Sequence, residues 1–103
     1  MPLPITIYGA SDCDDTAHVR ARLTALGIPF QEVNIEHNPD AEHFVIFING
    51  GFRSTPTLVI GDGKVKTILT EPSDTQLEEM LLQAGYSLPI RSILTPSERR
   101  LNP

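Results

Sequence analysis

The sequence predicts an α/β domain with one four-stranded mixed sheet flanked by helices, in the element order βαβ, then α, then ββα. Three observations carry this. Apolar spacing switches from a strand period to a helix period and back within the first third of the chain. A glycine-bounded hairpin pattern follows near residue 60, and an asparagine–proline pair and a serine mark two further helix starts. A right-handed βαβ unit joined to an antiparallel hairpin closes into such a sheet.

The elements follow in order. Ile5-Thr6-Ile7-Tyr8 is a short β-rich run ended by Gly9-Ala10-Ser11. Val19, Leu23 and Leu26 then recur at spacings of four and three beside Ala17 and Ala21, predicting a helix over 14–26 that Gly27 stops. Residues 29–35, Pro-Phe-Gln-Glu-Val-Asn-Ile, alternate as a strand. Asn38-Pro39 supplies an N-cap and a first-turn proline for a helix over 39–48, which ends at Asn49-Gly50-Gly51. Thr57-Leu58-Val59-Ile60 is a third strand, Gly61-Asp62-Gly63 a tight turn, and residues 64–69 the returning fourth strand. Ser73 caps a last helix whose apolar face is Leu77, Leu81 and Ala84 before Gly85.

A chain of 103 residues, 40% apolar and 20% charged, suits one domain with one core. The domain is expected over 1–86, followed by a proline-rich tail over 87–103 that carries Ile90, Ile93 and Leu94 with Arg91, Arg99 and Arg100. The net charge of −5 argues against nucleic acid or an anionic membrane as partner, since both require a basic patch. Acidity concentrates in the first half, where Asp12, Asp14, Asp15, Glu32, Glu36, Asp40 and Glu42 face only Arg20 and Arg22. No apolar run has membrane-spanning length, and the start lacks the features of a signal peptide. One cysteine forms no internal disulfide, so the expectation is a cytoplasmic protein with a reduced thiol.

That cysteine, Cys13, falls past the first strand, at the first turn of the first helix. The unpaired N–H groups and partial positive charge of a helix start stabilise a thiolate, which makes a cysteine there a candidate nucleophile. A turn flanked by Asp12, Asp14 and Asp15 is not a core site, so the reading of a small buried hydrophobe fails.

The runs Ile5-Thr6-Ile7-Tyr8, Gly27-Ile28-Pro29-Phe30, Glu32-Val33-Asn34-Ile35-Glu36, Asn49-Gly50-Gly51 and Thr55-Pro56-Thr57, followed by Leu58-Val59-Ile60-Gly61-Asp62-Gly63, occur in the order and spacing of a glutaredoxin. Over about residues 4–85 the chain resembles that family, and within it the mycoredoxin-like branch. The resemblance implies a thioredoxin-like fold of glutaredoxin type and thiol–disulfide exchange, with glutathione or a mycothiol-like thiol as co-substrate and no bound cofactor. It implies thiolated proteins as partners and a monomer or weak homodimer. By the same resemblance Pro56 follows a cis bond beside Cys13, and Thr55 offers its backbone to the small thiol. Arg20 and Arg53 match basic positions near the substrate, while Ser73 and Asp74 face its amino-acid end.

The motif departs from the family. Glutaredoxins carry a cysteine, two residues and then a cysteine or serine; here the run is Cys13-Asp14-Asp15-Thr16. Thr16 in the resolving position leaves only the monothiol route and places a hydroxyl near the thiolate. The family's iron–sulfur members have a glycine and a phenylalanine inside the motif, and this run has neither. Aspartates in a first turn compete for the helix N–H groups. Their charge also opposes ionisation, by on the order of 0.7–3 kcal/mol for a like charge about 6 Å away.

Asp12-Cys13-Asp14-Asp15-Thr16 also fits the D-x-D-x-T pattern of aspartyl phosphoryl transfer. Gly9-Ala10-Ser11 separates it from the strand, however, and the chain is too short for the remaining motifs of such enzymes. His18, His37 and His43 show no ligand spacing with Cys13, so no metal is expected. A non-enzymatic module of the same fold, binding a protein through the Cys13/Pro56 groove, is the competing reading.

Overall fold

A computed structural model describes residues 2–88. The strands are β1 (Ile5–Gly9), β2 (Gln31–Asn34), β3 (Thr57–Ile60) and β4 (Thr67–Thr70), and the helices are α1 (Asp14–Ala25), α2 (Pro39–Ile48) and α3 (Asp74–Gln83). They form one four-stranded sheet in the order β2-β1-β3-β4. β1 runs parallel to β2 and antiparallel to β3, and β3 pairs antiparallel with β4, so the sheet is mixed as predicted.

Alternation along β1 divides the core. Ile5 and Ile7 join Val19 and Leu23 of α1 and Leu77 and Leu81 of α3 on one face. Tyr8 turns to the other face, where α2 packs Ala41 and Val45 beside Ile35. The Tyr8 and Phe44 rings meet there in a tilted pair, 5.1 Å between centroids. β3 is buried along its whole length because helices cover both of its faces. Arg22 of α1 reaches the buried Glu78 of α3, tying the two helices of the first face together. The partly buried Tyr86 and Leu88 pack against this core as well; the expected tail from residue 89 onward, including Ile90, Ile93 and Leu94, lies outside the described residues.

Two boundaries differ from expectation. β4 begins at Thr67 and not at Lys64, so residues 61–66 form a loop longer than a tight turn. The register explains it: Ile60 pairs with Thr67, so Lys66 would have to pair with Gly61. Gly61 takes a φ of +114°, outside strand geometry, which turns the chain out of the β3–β4 ladder while its N–H still donates to the Pro4 carbonyl on the β1 side at 2.9 Å. β2 in turn is confined to Gln31–Asn34 because the Asn34 side chain accepts the Glu36 N–H at 2.8 Å, winding Ile35–His37 into one 3-10 turn.

The caps of α2 and α3 follow from local sequence. Asn38 accepts the Ala41 N–H at 3.1 Å with Pro39 behind it. Ser73 and Gln76 form a reciprocal capping box, the Ser73 hydroxyl accepting the Gln76 N–H at 3.2 Å while Gln76 accepts the Ser73 N–H at 2.9 Å. Ser73→Ala is expected to lower stability by about 1 kcal/mol, read as a lower urea midpoint at unchanged slope.

Candidate active site

β1 delivers the chain to residues 10–13, and two side chains from further along the sequence fix that loop. Glu36 accepts the Ser11 N–H at 2.6 Å, and the Asn34 amide donates to the Ser11 hydroxyl at 2.7 Å. The Ser11 hydrogen bonds hold the Glu36 carboxyl below the usual carboxylate range. Cys13 occupies the N-cap of α1 with extended backbone (φ −93°, ψ 114°), one position before the first helical residue, and its carbonyl accepts the Ala17 N–H at 3.1 Å.

The Thr55–Pro56 peptide is cis, and the Thr55 carbonyl accepts from the half-buried Cys13 thiol with Sγ 3.6 Å away. Contacts from three elements hold this second loop. Asn49 at the end of α2 donates to the Thr57 hydroxyl at 3.0 Å and accepts from the Thr70 hydroxyl at 2.5 Å. The Thr57 hydroxyl donates to the Ser54 carbonyl at 2.9 Å, and the Glu71 N–H donates to the Pro56 carbonyl at 2.8 Å. Glu71 takes a φ of +47°, a left-handed conformation uncommon outside glycine.

Thr16 is fully buried beneath the cysteine, and its hydroxyl accepts the Ala10 N–H at 3.5 Å. Burial pushes the Cys13 thiol up and is the largest single influence on it. Hydrogen bonds from the Thr16 and Thr55 side chains and from the backbone N–H groups of Thr16 and Asp15 together outweigh burial, so the thiol is more acidic than an ordinary cysteine. The expected competition from the aspartates does not occur: no side chain caps α1, and the first-turn N–H groups are left to the sulfur.

The remaining expected binding residues are engaged within the fold. Arg20 forks onto Glu32 of β2 at 2.7 and 2.5 Å, and this contact holds the Glu32 carboxyl below its usual range. Arg53 donates to Glu42 at 2.7 Å. The Ser73 hydroxyl is occupied by its capping box, and Asp74 lies 2.7 Å from His18 Nε2. Sequence reasoning missed Asn34, Glu36, Asn49 and the His18–Asp74 pair. Asparagines at the ends of β2 and α2 were the available signal, but their partners lie in other elements.

The glutaredoxin sequence profile matches residues 5–66. Two sequences from strains of Mycobacterium tuberculosis, each bearing the name of a glutaredoxin, are 39% identical to the chain over 79 residues, which is 77% of this chain and 90% of the relative. The chain belongs to the glutaredoxin family. Its mycobacterial relatives fit the mycoredoxin-like branch. Solved structures agree on the fold of this glutaredoxin. A mutant of the thioredoxin-like protein BC3987 superposes with a TM-score of 0.62 at 22% identity, covering 78% of this chain and 95% of that one. The glutaredoxin-like NrdH-redoxin of Escherichia coli gives 0.56 at 21% identity, covering 84% and 99%. Family membership is consistent with a thiol redox function, and Cys13 is the one cysteine in the sequence. Among the described residues no helix is long and apolar enough to cross a membrane.

Proposed function

We propose that this glutaredoxin is a monothiol thiol–disulfide oxidoreductase acting on mixed disulfides between proteins and a low-molecular-weight thiol, glutathione or a mycothiol-like thiol, in the cytoplasm. The observation that carries the reading is an acidified thiol at the N-cap of α1, facing Thr55 and the cis peptide of Pro56, in a chain with no second cysteine. The Cys13 thiolate attacks the small-thiol sulfur of the mixed disulfide. The disulfide bond breaks, and the protein thiolate leaves and takes a proton from water. Cys13 now holds the small thiol, and a second small thiolate attacks that adduct and departs as the symmetric disulfide. The protein sulfur is reduced, the incoming small thiol is oxidised as it joins the one already in the mixed disulfide, and Cys13 is restored.

Thr16 donates to the thiolate before attack, and Thr55 presents its backbone to the substrate. With Arg20, Arg53 and Ser73 engaged elsewhere, the Thr55 backbone is the main hold on the small thiol. The test is alkylation of Cys13 across pH, together with reduction of a small mixed disulfide by wild type and Cys13→Ser. Alkylation with a midpoint below that of a free cysteine, and turnover abolished in Cys13→Ser, are expected. A midpoint at or above the free value with turnover no better than the mutant overturns the reading.

One observation favours a binding role beside this one. Phe47 and Phe52 are 82% and 71% exposed, and Phe52 lies just ahead of the loop that carries Thr55. A protein complex that survives Cys13→Ser and is lost in Phe52→Ser would support the binding module.

A further inference from the structure

β1 ends at Gly9 and β3 begins at Thr57, the partner of Tyr8, so residues 10–13 and the Thr55 loop share one end of the sheet, while the 61–66 loop lies at the other. Positive charge is distributed unequally between these ends. Lys64 and Lys66 belong to the far loop. Every arginine among the described residues is committed to a carboxylate: Arg20 to Glu32, Arg22 to Glu78 and Arg53 to Glu42. Arg53, expected by resemblance near a substrate carboxylate, feels Glu36 and Asp12 in addition to Glu42, three carboxylates for one guanidinium. Asp14 and Asp15 are exposed on the first turn of α1 and enter no ion pair among the described residues. Glu36 is anchored at the Ser11 backbone, with His37 beside it, and Asp74 is paired with His18. Among the described residues, a substrate carboxylate arriving at Cys13 meets surplus negative charge and no uncommitted arginine or lysine at this end of the sheet.

We infer that the Cys13 site selects mixed disulfides whose small thiol bears a positive charge, such as an amine without a carboxylate, and discriminates against carboxylate-bearing thiols, with Asp12, Asp14 and Asp15 as the specificity-determining residues. The inference rests on the exchange chemistry proposed above and, of the small thiols named there, counts against glutathione, which carries carboxylates. The bonds made and broken are those of that exchange; charge acts on the encounter and on the adduct, through a field that a surface cleft focuses and salt screens.

The test uses the full chain at pH 8, and follows loss of the Cys13 thiol with three disulfides: cystamine (dication), hydroxyethyl disulfide (neutral) and dithiodipropionate (dianion). Each rate is divided by that of the same disulfide with 2-mercaptoethanol, which removes intrinsic electrophilicity. The normalised preference for cystamine over dithiodipropionate is expected to be about a hundredfold near 10 mM salt, with the neutral probe between them. It is expected to fall to within roughly threefold at 1 M, where the Debye length is about 3 Å. Replacing the three residues together (Asp12→Asn, Asp14→Asn, Asp15→Asn) is expected to remove most of the low-salt preference, the neutral disulfide reporting any change in the thiol itself. The wild-type salt series stands even where that variant fails to fold. A low-salt preference within twofold, one that salt does not move, or one that persists in the folded triple variant overturns the selectivity. Exchange with the neutral disulfide then leaves the redox reading standing, whereas loss of exchange with all three probes sinks both.

Discussion

Gly9→Ala is expected to destabilise the protein by about 2 kcal/mol and to reduce Cys13 reactivity with it. A Cβ at Gly9 would lie 2.3 Å from the Thr16 Cγ2 methyl and 3.0 Å from its hydroxyl oxygen. Thr16 is fully buried in the first turn of α1, so neither partner can move without shifting the helix start away from β1. The backbone at Gly9 is ordinary strand, which makes the obstacle purely steric. The obstacle can therefore be relieved from the other side. Thr16→Ser alone deletes a buried methyl at a cost of about 1 kcal/mol. In the Gly9→Ala background the same change removes the clashing atom and is expected to recover most of the loss. Urea unfolding of the four proteins of this cycle measures the coupling. An unchanged midpoint in Gly9→Ala, or costs that simply add, would refute the close approach.

Thr16→Val keeps the shape and removes the hydroxyl. The Ala10 N–H then loses its acceptor, and the Cys13 thiolate loses its hydrogen-bond donor. A hydrogen bond to an ionised group is worth about 1.5 kcal/mol at the low end, so alkylation of Cys13 at pH 7 is expected to slow about tenfold. At high pH, where the thiol is ionised in both proteins, the rates should converge. A pH profile that coincides with wild type would show that the hydroxyl does not act on the sulfur. Stability carries the same signature. The folded thiol lies below the ordinary value, so on raising pH the native state loses its proton first. The stability contributed by Cys13 rises from the folded pKa to the unfolded one and stands in full above it. It is lost as pH falls back through the folded value. Thr16→Val is expected to flatten that rise.

The acidity of Cys13 is where local sequence and tertiary structure diverge most. Read locally, Asp14 and Asp15 compete for the helix donors and oppose a thiolate. In the folded chain the donors stay with the sulfur, and the side chain of Thr55, far along the sequence, supplies a further hydrogen bond that lowers the thiol pKa. The arginines diverge in the same way. Arg20 and Arg53 match substrate-facing positions by resemblance, but Glu32 and Glu42, brought close by β2 and α2, engage them first.

Local chemistry by itself determined the βαβ-α-ββα order, the Asn38 and Ser73 caps, the helix start beneath Cys13 and the absence of a resolving cysteine. Each of these depends on residue type and on neighbours within a turn, where periodicity and capping are decided. Only the tertiary structure decided that β4 starts at Thr67, that Glu36 and Asn49 hold the two loops of the site, and that the thiol is acidified. Those outcomes hang on partners distant in sequence, and no local pattern says which carboxylate or hydroxyl the fold will bring within hydrogen-bonding reach.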